Sequence, residues 1–333
     1  MLTELEKQDI ENAANSIDVS KLKGKTILMS GGTGFIGTYI THIIRYRNEK
    51  FNDGIKLISL SRRGGDSDST LKCIKCDINQ KIELDEHIDF VLHLASNTHP
   101  KQYAEDPVGT ITTNIFGCKN LLDLGLEKHI QRFLLASSVE IYGQCIDKPV
   151  DESFSGYIDC NKARSGYNES KRLCESLCQS YKSQYGLNFV TARLSRVIGP
   201  DRKQDTKAIA QFIDKAINNE DIILKSKGNQ LYSYTYISDV AIAILKILCD
   251  GVNGEAYNVS AEPDGLTLGD YASYIASLPN KKVIFDIEEN DSVSKATYAL
   301  LNNSKLKELG WKPRYTVKEG LELTYKVKSN LKD

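Results

Sequence analysis

The chain has 333 residues, of which 26% are charged and 41% hydrophobic, and its formal net charge at pH 7 is −1. These fractions are ordinary for a globular protein, and a near-zero net charge provides no basic surface for nucleic acid or an anionic membrane. No apolar run reaches the roughly 20 residues that a membrane-spanning helix needs. The first residues are charged, unlike a signal peptide, so we expect a cytoplasmic protein with neither nucleic acid nor a membrane as partner.

Strand and helix patterns alternate along the first 200 residues, after a short amphipathic helix predicted over residues 3–17. Apolar strand patterns lie at Thr26–Ser30, Lys56–Leu60, Leu71–Cys76, Phe90–Leu94, Phe133–Ala136 and Asn188–Ala192. Helical patterns lie at Phe35–Asn48, Val108–Leu126 and Gly166–Tyr185. This alternation predicts an α/β protein with a Rossmann-type, doubly wound parallel sheet.

The character of the chain changes after Pro200, where short elements with more polar connections follow. We interpret residues 1–22 as an N-terminal helical extension. Residues 23–200 plus 232–262 are predicted to form the Rossmann domain. Residues 201–231 plus 263–333 are predicted to form a smaller C-terminal α/β part that binds substrate.

The first strand ends on a glycine-rich turn, in which three glycines are spaced three residues apart. Such glycines let the chain turn sharply, let a pyrophosphate approach the backbone, and let the next helix pack closely on the strand. The helix N-terminus would then hold the phosphates. The motif therefore predicts a dinucleotide cofactor. The residues of the turn that we expect to contact it are Gly31, Thr33, Gly34, Phe35, Ile36 and Gly37.

The second strand ends at Ser61, and Arg62 and Arg63 follow it. Dinucleotide-binding folds that prefer NAD usually have an acidic residue here, which binds the ribose hydroxyls. A hydroxyl next to guanidinium groups suits the 2′-phosphate of NADP better. The alternative is a solvated basic turn without a ligand. We expect NADP, used as NADPH, with NAD as the alternative cofactor.

A second group of polar residues follows the fifth predicted strand. Ser138 and Glu140 come directly after the strand, and Tyr167 and Lys171 lie one turn apart on a predicted helix. An ammonium group beside a phenol lowers the phenol pKa, so Tyr167 could exchange a proton with a hydroxyl or ketone near neutral pH. Ser138 would donate a hydrogen bond to the same oxygen. We expect these four residues to be catalytic.

The cysteines and histidines do not predict a metal site. Cys73 and Cys76 form a C-x-x-C pair, but no second pair lies at zinc-finger spacing. The five histidines show no spacing typical of a metal site. We expect free thiols in the core and no bound metal.

Taken together, these motifs resemble the extended short-chain dehydrogenase/reductases, the NAD-dependent epimerase/dehydratase family that acts on nucleotide sugars. The resemblance covers about residues 24–325. Beyond the motifs already named, it includes Asp77–Ile78, His93–Ser96, Asn114, Gly228–Asp239, Ala256–Val259 and Ser304–Pro313. It implies that further residues bind the cofactor, namely Asp77, Ile78, Leu94, Ala95, Ser96 and Asn114, together with Tyr167 and Lys171.

The residues expected around the substrate depart from the family pattern. Glu140 matches a glutamate of family dehydratases and decarboxylases, but Val139 replaces the acid that hexose 4,6-dehydratases carry beside it. Tyr232 replaces an arginine that binds the nucleotide diphosphate in many relatives. Four cations could supply the missing charge: Arg193, Arg196, Lys225 and Lys295. The substrate contacts that we expect are Ser138, Glu140, Arg164, Arg196 and Tyr232.

The resemblance leaves two kinds of reaction open. Family reductases consume NADPH, so the basic turn after Ser61 favours reduction of a carbonyl in a nucleotide-activated keto-sugar. A CDP-linked ketose reduced to an alditol for surface polysaccharide would be one example. The alternative is an NAD-dependent 4-epimerase, dehydratase or decarboxylase with no net redox change. The resemblance also implies a homodimer, formed by the helices that carry Asn114 and Tyr167.

Overall fold

The computed structural model describes residues 2–96, 105–202, 207–287 and 298–331. In this part of the chain the strands are β1 Thr26–Ser30, β2 Lys56–Ser61, β3 Leu71–Lys75, β4 Phe90–His93, β5 Arg132–Ser138, β6 Phe189–Leu194, β7 Arg196–Ile198, β8 Ile222–Leu224, β9 Leu231–Tyr232, β10 Tyr234–Tyr236, β11 Ala256–Val259, β12 Val283–Phe285 and β13 Tyr298–Ala299. The α-helices are α1 Glu4–Asn15, α2 Phe35–Phe51, α3 Pro107–Glu127, α4 Ser165–Tyr185, α5 Ala208–Ile217, α6 Ile237–Asp250, α7 Leu268–Ser277, α8 Ser304–Glu308 and α9 Val317–Asn330.

Seven strands form one parallel sheet in the order β11-β6-β5-β4-β1-β2-β3. The sheet extends from β1 in both directions, which is the doubly wound arrangement. The prediction of a Rossmann-type parallel sheet is therefore confirmed. Because all seven strands are parallel, their carboxyl ends share one edge, and the loops at that edge form the crevice in which such folds bind ligands.

The two faces of the sheet bury different helices, as the alternation of side chains along a strand requires. In β1, Ile27 and Met29 pack in the core that contains residues of α1, α2 and α6. Leu28 points to the opposite face and packs with Cys118 of α3 and Cys174 of α4. Within the described residues, no helix is both long and apolar enough to cross a membrane.

The six remaining strands form three parallel pairs outside the main sheet: β7 with β10, β8 with β12, and β9 with β13. Helices α5, α7 and α9 pack against one another; α5 and α7 contact the β8–β12 pair, and α9 contacts the β7–β10 pair. The division into a Rossmann domain and a smaller substrate-binding part stays a proposal.

Helix α1, near the N-terminus, contacts residues near the C-terminal end of the chain. Thr3 and Glu6 cap its first turn with reciprocal hydrogen bonds. Further along the helix, Asp9 lies 2.6 Å from Arg314, which also contacts Asp239 at 3.1 Å. Both carboxylates are buried, and burial raises the pKa of Asp239 to about 6. This half-buried arginine, shared by two buried acids, connects α1 to α6 and to the segment before α9.

Candidate active site

The glycine turn has the geometry of a phosphate-binding loop. Gly31 has a φ of +77°, and a β-carbon there would lie 2.8 Å from the backbone nitrogen of Ala95. A β-carbon on Gly37 would lie 2.5 Å from the carbonyl oxygen of Gly31. Gly34 precedes α2, and no side chain of the described residues caps this end of the helix. The first N–H groups of α2 are therefore available to an anion, which fits the pyrophosphate of a dinucleotide.

The basic turn after β2 lies at the same edge of the sheet as the glycine turn, because β2 pairs in parallel with β1. Arg62 and Arg63 are both exposed. The hydroxyl of Ser61 accepts a hydrogen bond from the backbone N–H of Arg63 at 3.3 Å. This local bond forms the turn without using either guanidinium group.

The two residues predicted to bind the cofactor after β3 differ in their exposure. Asp77 is exposed and accepts a hydrogen bond from the backbone N–H of Asn79 at 3.0 Å. Ile78 is buried against α3, since a β-carbon on Gly117 would lie 2.6 Å from its side chain. Asp77 is therefore accessible to a ligand, whereas Ile78 packs in the core.

The end of β4 is fixed through Ser30 at the end of β1. The hydroxyl of Ser30 lies 2.7 Å from Nδ1 of His93 and accepts a hydrogen bond from the backbone N–H of Ala95 at 3.3 Å. His93 is fully buried, and burial lowers its pKa to about 3, with a smaller contribution from the positive charge of Lys171. His93 is therefore a neutral residue that packs between the two strand ends. Leu94, which follows, is half-buried.

A chain of hydrogen bonds runs from β4 to the helix that carries Tyr167. The hydroxyl of Ser96 donates to Oδ1 of Asn114 at 2.7 Å, and Nδ2 of Asn114 donates to Ser170 at 2.9 Å. The hydroxyl of Ser170 in turn donates to the carbonyl of Tyr167 at 2.8 Å. The structure thus connects the predicted residues Ser96, Asn114 and Tyr167 through Ser170, which the motifs did not single out.

Lys171 lies beneath the carboxyl end of β5. Its ammonium group donates a hydrogen bond to the carbonyl oxygen of Ala136 at 2.9 Å. The side chain is buried, and burial lowers the pKa of Lys171. Tyr167, one turn earlier on α4, is only 6% exposed. The pair thus presents a phenol and an ammonium group from one face of α4 against β5.

Ser138 and Glu140 are joined to the same helix. The hydroxyl of Ser138 accepts from the backbone N–H of Glu140 at 3.2 Å. Nδ2 of Asn168 donates to the carbonyl oxygen of Glu140 at 2.8 Å and to its carboxylate at 3.3 Å. Asn168 follows Tyr167 directly, so these bonds connect Glu140 to the turn of α4 that carries the predicted catalytic tyrosine. Asn168 is a second residue that sequence reasoning missed, although its position next to Tyr167 was a usable signal.

The cations proposed to replace the missing arginine lie in different surroundings. Arg196 stacks on Tyr232, with its guanidinium carbon 3.6 Å from the ring centre, and lies 3.5 Å from the carboxylate of Glu140. Arg193 instead pairs with Glu175 at 2.7 Å, and Lys225 pairs with Asp286 at 2.9 Å. Lys295 lies outside the described residues. Arg164 is exposed at the residue before α4.

The described residues contain no group of three or more histidine, cysteine, aspartate or glutamate side chains placed to hold a metal ion. The polar side chains around the carboxyl end of β5 are those of Ser138, Glu140, Tyr167, Lys171 and Arg196. Together with the phosphate-binding turn, they fit a dinucleotide and a polyhydroxylated substrate side by side.

Comparison with known proteins identifies the family. The model of the NAD dependent epimerase/dehydratase family matches residues 27–260. The chain belongs to this family. It is 30% identical to UDP-glucuronic acid decarboxylase 5 of Arabidopsis thaliana over 308 residues, covering 89% of this chain and 87% of the relative. It is 27% identical to UDP-glucuronic acid decarboxylase 1 of Danio rerio, covering 92% of this chain and 73% of the relative. The predicted family resemblance is confirmed.

Solved structures of the family share the fold. UDP-glucose 4-epimerase from Thermotoga maritima, solved with UDP-glucose, matches with a TM-score of 0.79 and 21% identity, covering 92% of this chain and all of the other. UDP-glucuronic acid 4-epimerase from Bacillus cereus, in complex with UDP-glucuronic acid and NAD, gives a TM-score of 0.78 and 21% identity. The match covers 92% of this chain and 99% of the other. At this level of identity the match establishes the architecture alone.

Proposed function

We propose that the protein is an NAD-dependent decarboxylase of a nucleotide-linked uronic acid, with no net redox change. The choice of a decarboxylase rests on the likeness to UDP-glucuronic acid decarboxylases, which extends along 89% of the chain at 30% identity. The presence of Glu140 and the absence of the dehydratase acid at Val139 agree with it. The comparisons support the predicted alternative, a reaction without net redox change, better than the NADPH-dependent reduction of a keto-sugar.

NAD, in place of NADP, is the cofactor in this proposal. The glycine turn and the N-terminus of α2 would hold its pyrophosphate, and Tyr167 and Lys171 would lie beside its nicotinamide ribose. Arg62 and Arg63 are exposed, and the turn that carries them is formed by the bond between Ser61 and the Arg63 backbone. The choice of NAD rests on the match to the NAD dependent epimerase/dehydratase family and on the structure of UDP-glucuronic acid 4-epimerase from Bacillus cereus, which was solved with NAD. In this proposal the basic turn is a solvated surface turn. When bound, NAD would supply a reversible hydride acceptor for the sugar carbon C4.

Tyr167 would act as the acid and base at the C4 oxygen. The positive charge of Lys171 favours the phenolate form, which accepts the hydroxyl proton and later returns it. Ser138 would donate a hydrogen bond to the same oxygen. The bonds from Asn114 through Ser170 hold the backbone of Tyr167 in place, so the phenol would meet its substrate without reorganisation.

Loss of carbon dioxide follows from the structure of the oxidised sugar. A ketone at C4 and a carboxylate attached to C5 make a β-keto acid. When the bond between C5 and the carboxylate breaks, its electrons pass to the C4 oxygen, carbon dioxide leaves, and C5 then takes a proton from solvent. Tyr167 and Ser138 would stabilise the negative charge that forms on that oxygen by hydrogen bonding.

The proposal is tested by incubating the purified protein with NAD and UDP-glucuronic acid. The expected products are carbon dioxide and a UDP-linked pentose, identified by mass spectrometry, with no net change in absorbance of the reduced nicotinamide. A six-carbon C4 epimer would show an epimerase instead. Stoichiometric consumption of NADPH with a keto-sugar nucleotide would restore the reductase interpretation. The cytoplasmic location and the role in surface polysaccharide stay predictions.

A further inference from the structure

The backbone around Arg196 is fixed by the small strand pair beside the active site. Arg196 begins β7 and is aligned with Tyr234 of β10. Its backbone N–H donates to the carbonyl of Ser233 at 3.1 Å. This pairing brings Arg196 next to the segment that carries Tyr232, although 35 residues separate the two in sequence. The guanidinium group lies over the Tyr232 ring, with its carbon atom 3.6 Å from the ring centre.

The guanidinium group of Arg196 has unused hydrogen-bonding capacity. Within the described part of the chain, its Nη1 atom is buried and has no hydrogen-bond partner. Its Nη2 atom lies 3.5 Å from Oε1 of Glu140, longer than the roughly 2.7–2.9 Å of a charge-assisted hydrogen bond. The Arg196 side chain is nevertheless 26% exposed, so its charge is open to a ligand. Arg196 is thus placed to accept a further ligand.

The position of Arg196 identifies which anion this is. Glu140, its neighbour, also accepts a hydrogen bond from Asn168, the residue after Tyr167. Two contacts therefore link the guanidinium to the residue that follows the predicted proton-transfer group. In a uronic acid the carboxylate is attached to C5, next to the reacting C4 carbon. A sugar carboxylate near the phenol of Tyr167 would come within reach of Arg196.

We propose that Arg196, supported by the ring of Tyr232, binds the carboxylate of the sugar and makes the site selective for uronic acids. This inference rests on the proposed function and specifies its substrate class. A planar guanidinium can bind a carboxylate through two parallel hydrogen bonds. In this arrangement the guanidinium group of Arg196 also lies between the sugar carboxylate and the negative charge of Glu140. A neutral hexose in the same place offers no negative charge to the guanidinium group and is bound more weakly.

The experiment compares two ligands that differ only in this group. UDP-glucuronic acid and UDP-glucose are titrated into the protein loaded with NADH, which cannot oxidise the sugar, so that binding alone is measured by calorimetry. The wild-type protein is expected to prefer UDP-glucuronic acid by about tenfold or more, the size that a good charged contact gives. Arg196→Gln is expected to bring the two affinities within about twofold of each other by weakening UDP-glucuronic acid alone. Arg196→Lys is expected to keep part of the preference.

Lys246→Gln is the matched control, because Lys246 is a cation of similar exposure, 23% against 26%, that pairs with Asp250 on α6. It should leave both affinities unchanged. The inference is overturned if the wild type shows no preference, or if Arg196→Gln weakens both ligands by the same factor, since Arg196 would then act on the shared diphosphate. Selective binding of UDP-glucuronic acid without release of carbon dioxide would contradict the proposed reaction and leave this inference standing.

Discussion

The ammonium group of Lys171 donates a hydrogen bond to the carbonyl oxygen of Ala136 across 2.9 Å. This bond fixes a buried positive charge between α4 and the end of β5. Tyr167 lies one turn earlier on the same helix, so its phenol and the ammonium group share one face of α4. The acid–base strength of the site therefore depends on the packing of α4 against β5.

Lys171→Met is expected to shift the pH dependence of activity. Removing the positive charge raises the pKa of the Tyr167 phenol, so the rise of activity with pH should move to higher pH by about one unit or more, and kcat at pH 7 should fall. The measurement is a pH profile of kcat, with circular dichroism to confirm folding. An unshifted profile would mean that the lysine does not tune the base.

Tyr167→Phe is expected to lower kcat by roughly 100- to 10,000-fold, the range for loss of a general acid–base group. The ring still fills its buried position, so the fold and the affinity for NAD should be kept. Turnover is measured with UDP-glucuronic acid and NAD binding by calorimetry. Activity within threefold of the wild type would assign the proton transfer to another group.

The sheet and the glycine turn could be predicted from the sequence because local residue patterns determine both. Alternating apolar strands and helices predict the parallel sheet, and the glycine spacing predicts the turn between β1 and α2. The residues that join the site together were harder to find. Ser170 and Asn114 are 56 residues apart in sequence, and their hydrogen bond exists only once α3 packs on α4.

Long-range packing also decides which of several similar residues acts. Four cations near the predicted substrate site were named from the sequence, which gives no distance from any of them to Glu140. The pairing of β7 with β10 places Arg196 over Tyr232, whereas Arg193 forms an ion pair with Glu175. The arginines after Ser61 led the sequence interpretation toward NADP, while the match to the NAD dependent epimerase/dehydratase family supports NAD.

Gly37→Ala is expected to weaken NAD binding by at least about tenfold and to destabilise the fold, because the new β-carbon would lie 2.5 Å from the carbonyl of Gly31. The turn would have to open, and the N-terminus of α2 would lose its approach to the phosphates. Gly269→Ala is the control, since its β-carbon would meet nothing closer than 3.4 Å. Calorimetry with NAD and thermal melting check both variants; equal behaviour would contradict the packing argument.

Phe116→Asp tests the predicted homodimer. Phe116 on α3 is 51% exposed, and Val108 on α3 and Leu173 on α4 are exposed by 70% and 48%. A dimer formed through these helices would bury all three, so a charge at Phe116 should shift it to monomers. Val252→Asp is the control, because Val252 is an apolar residue, 58% exposed, in the loop after α6. It should leave the dimer intact. Light scattering after size-exclusion chromatography measures the mass, and a dimer that survives Phe116→Asp would place the interface elsewhere.

His93→Asn is expected to flatten the dependence of stability on pH. Burial holds the pKa of His93 at about 3 in the folded protein, against about 6.5 when unfolded. As pH falls below 6.5 the unfolded chain binds a proton that the folded chain does not, so stability is lost with falling pH. At pH 5 this loss is about 2 kcal/mol relative to pH 7. Asparagine can still hydrogen-bond to Ser30 without gaining this charge.

Urea unfolding at pH 7, 6 and 5 measures this effect as the free energy of unfolding of each variant. His93→Asn should be less stable than the wild type at pH 7, because the side chain fills its buried position less well. It should nevertheless lose about 2 kcal/mol less on going to pH 5. His129→Asn is the matched control: His129 is exposed and has a φ of +50°, a conformation that asparagine tolerates. It should follow the wild-type slope, and if His93→Asn does the same, the buried imidazole is not the group that makes the fold sensitive to acid.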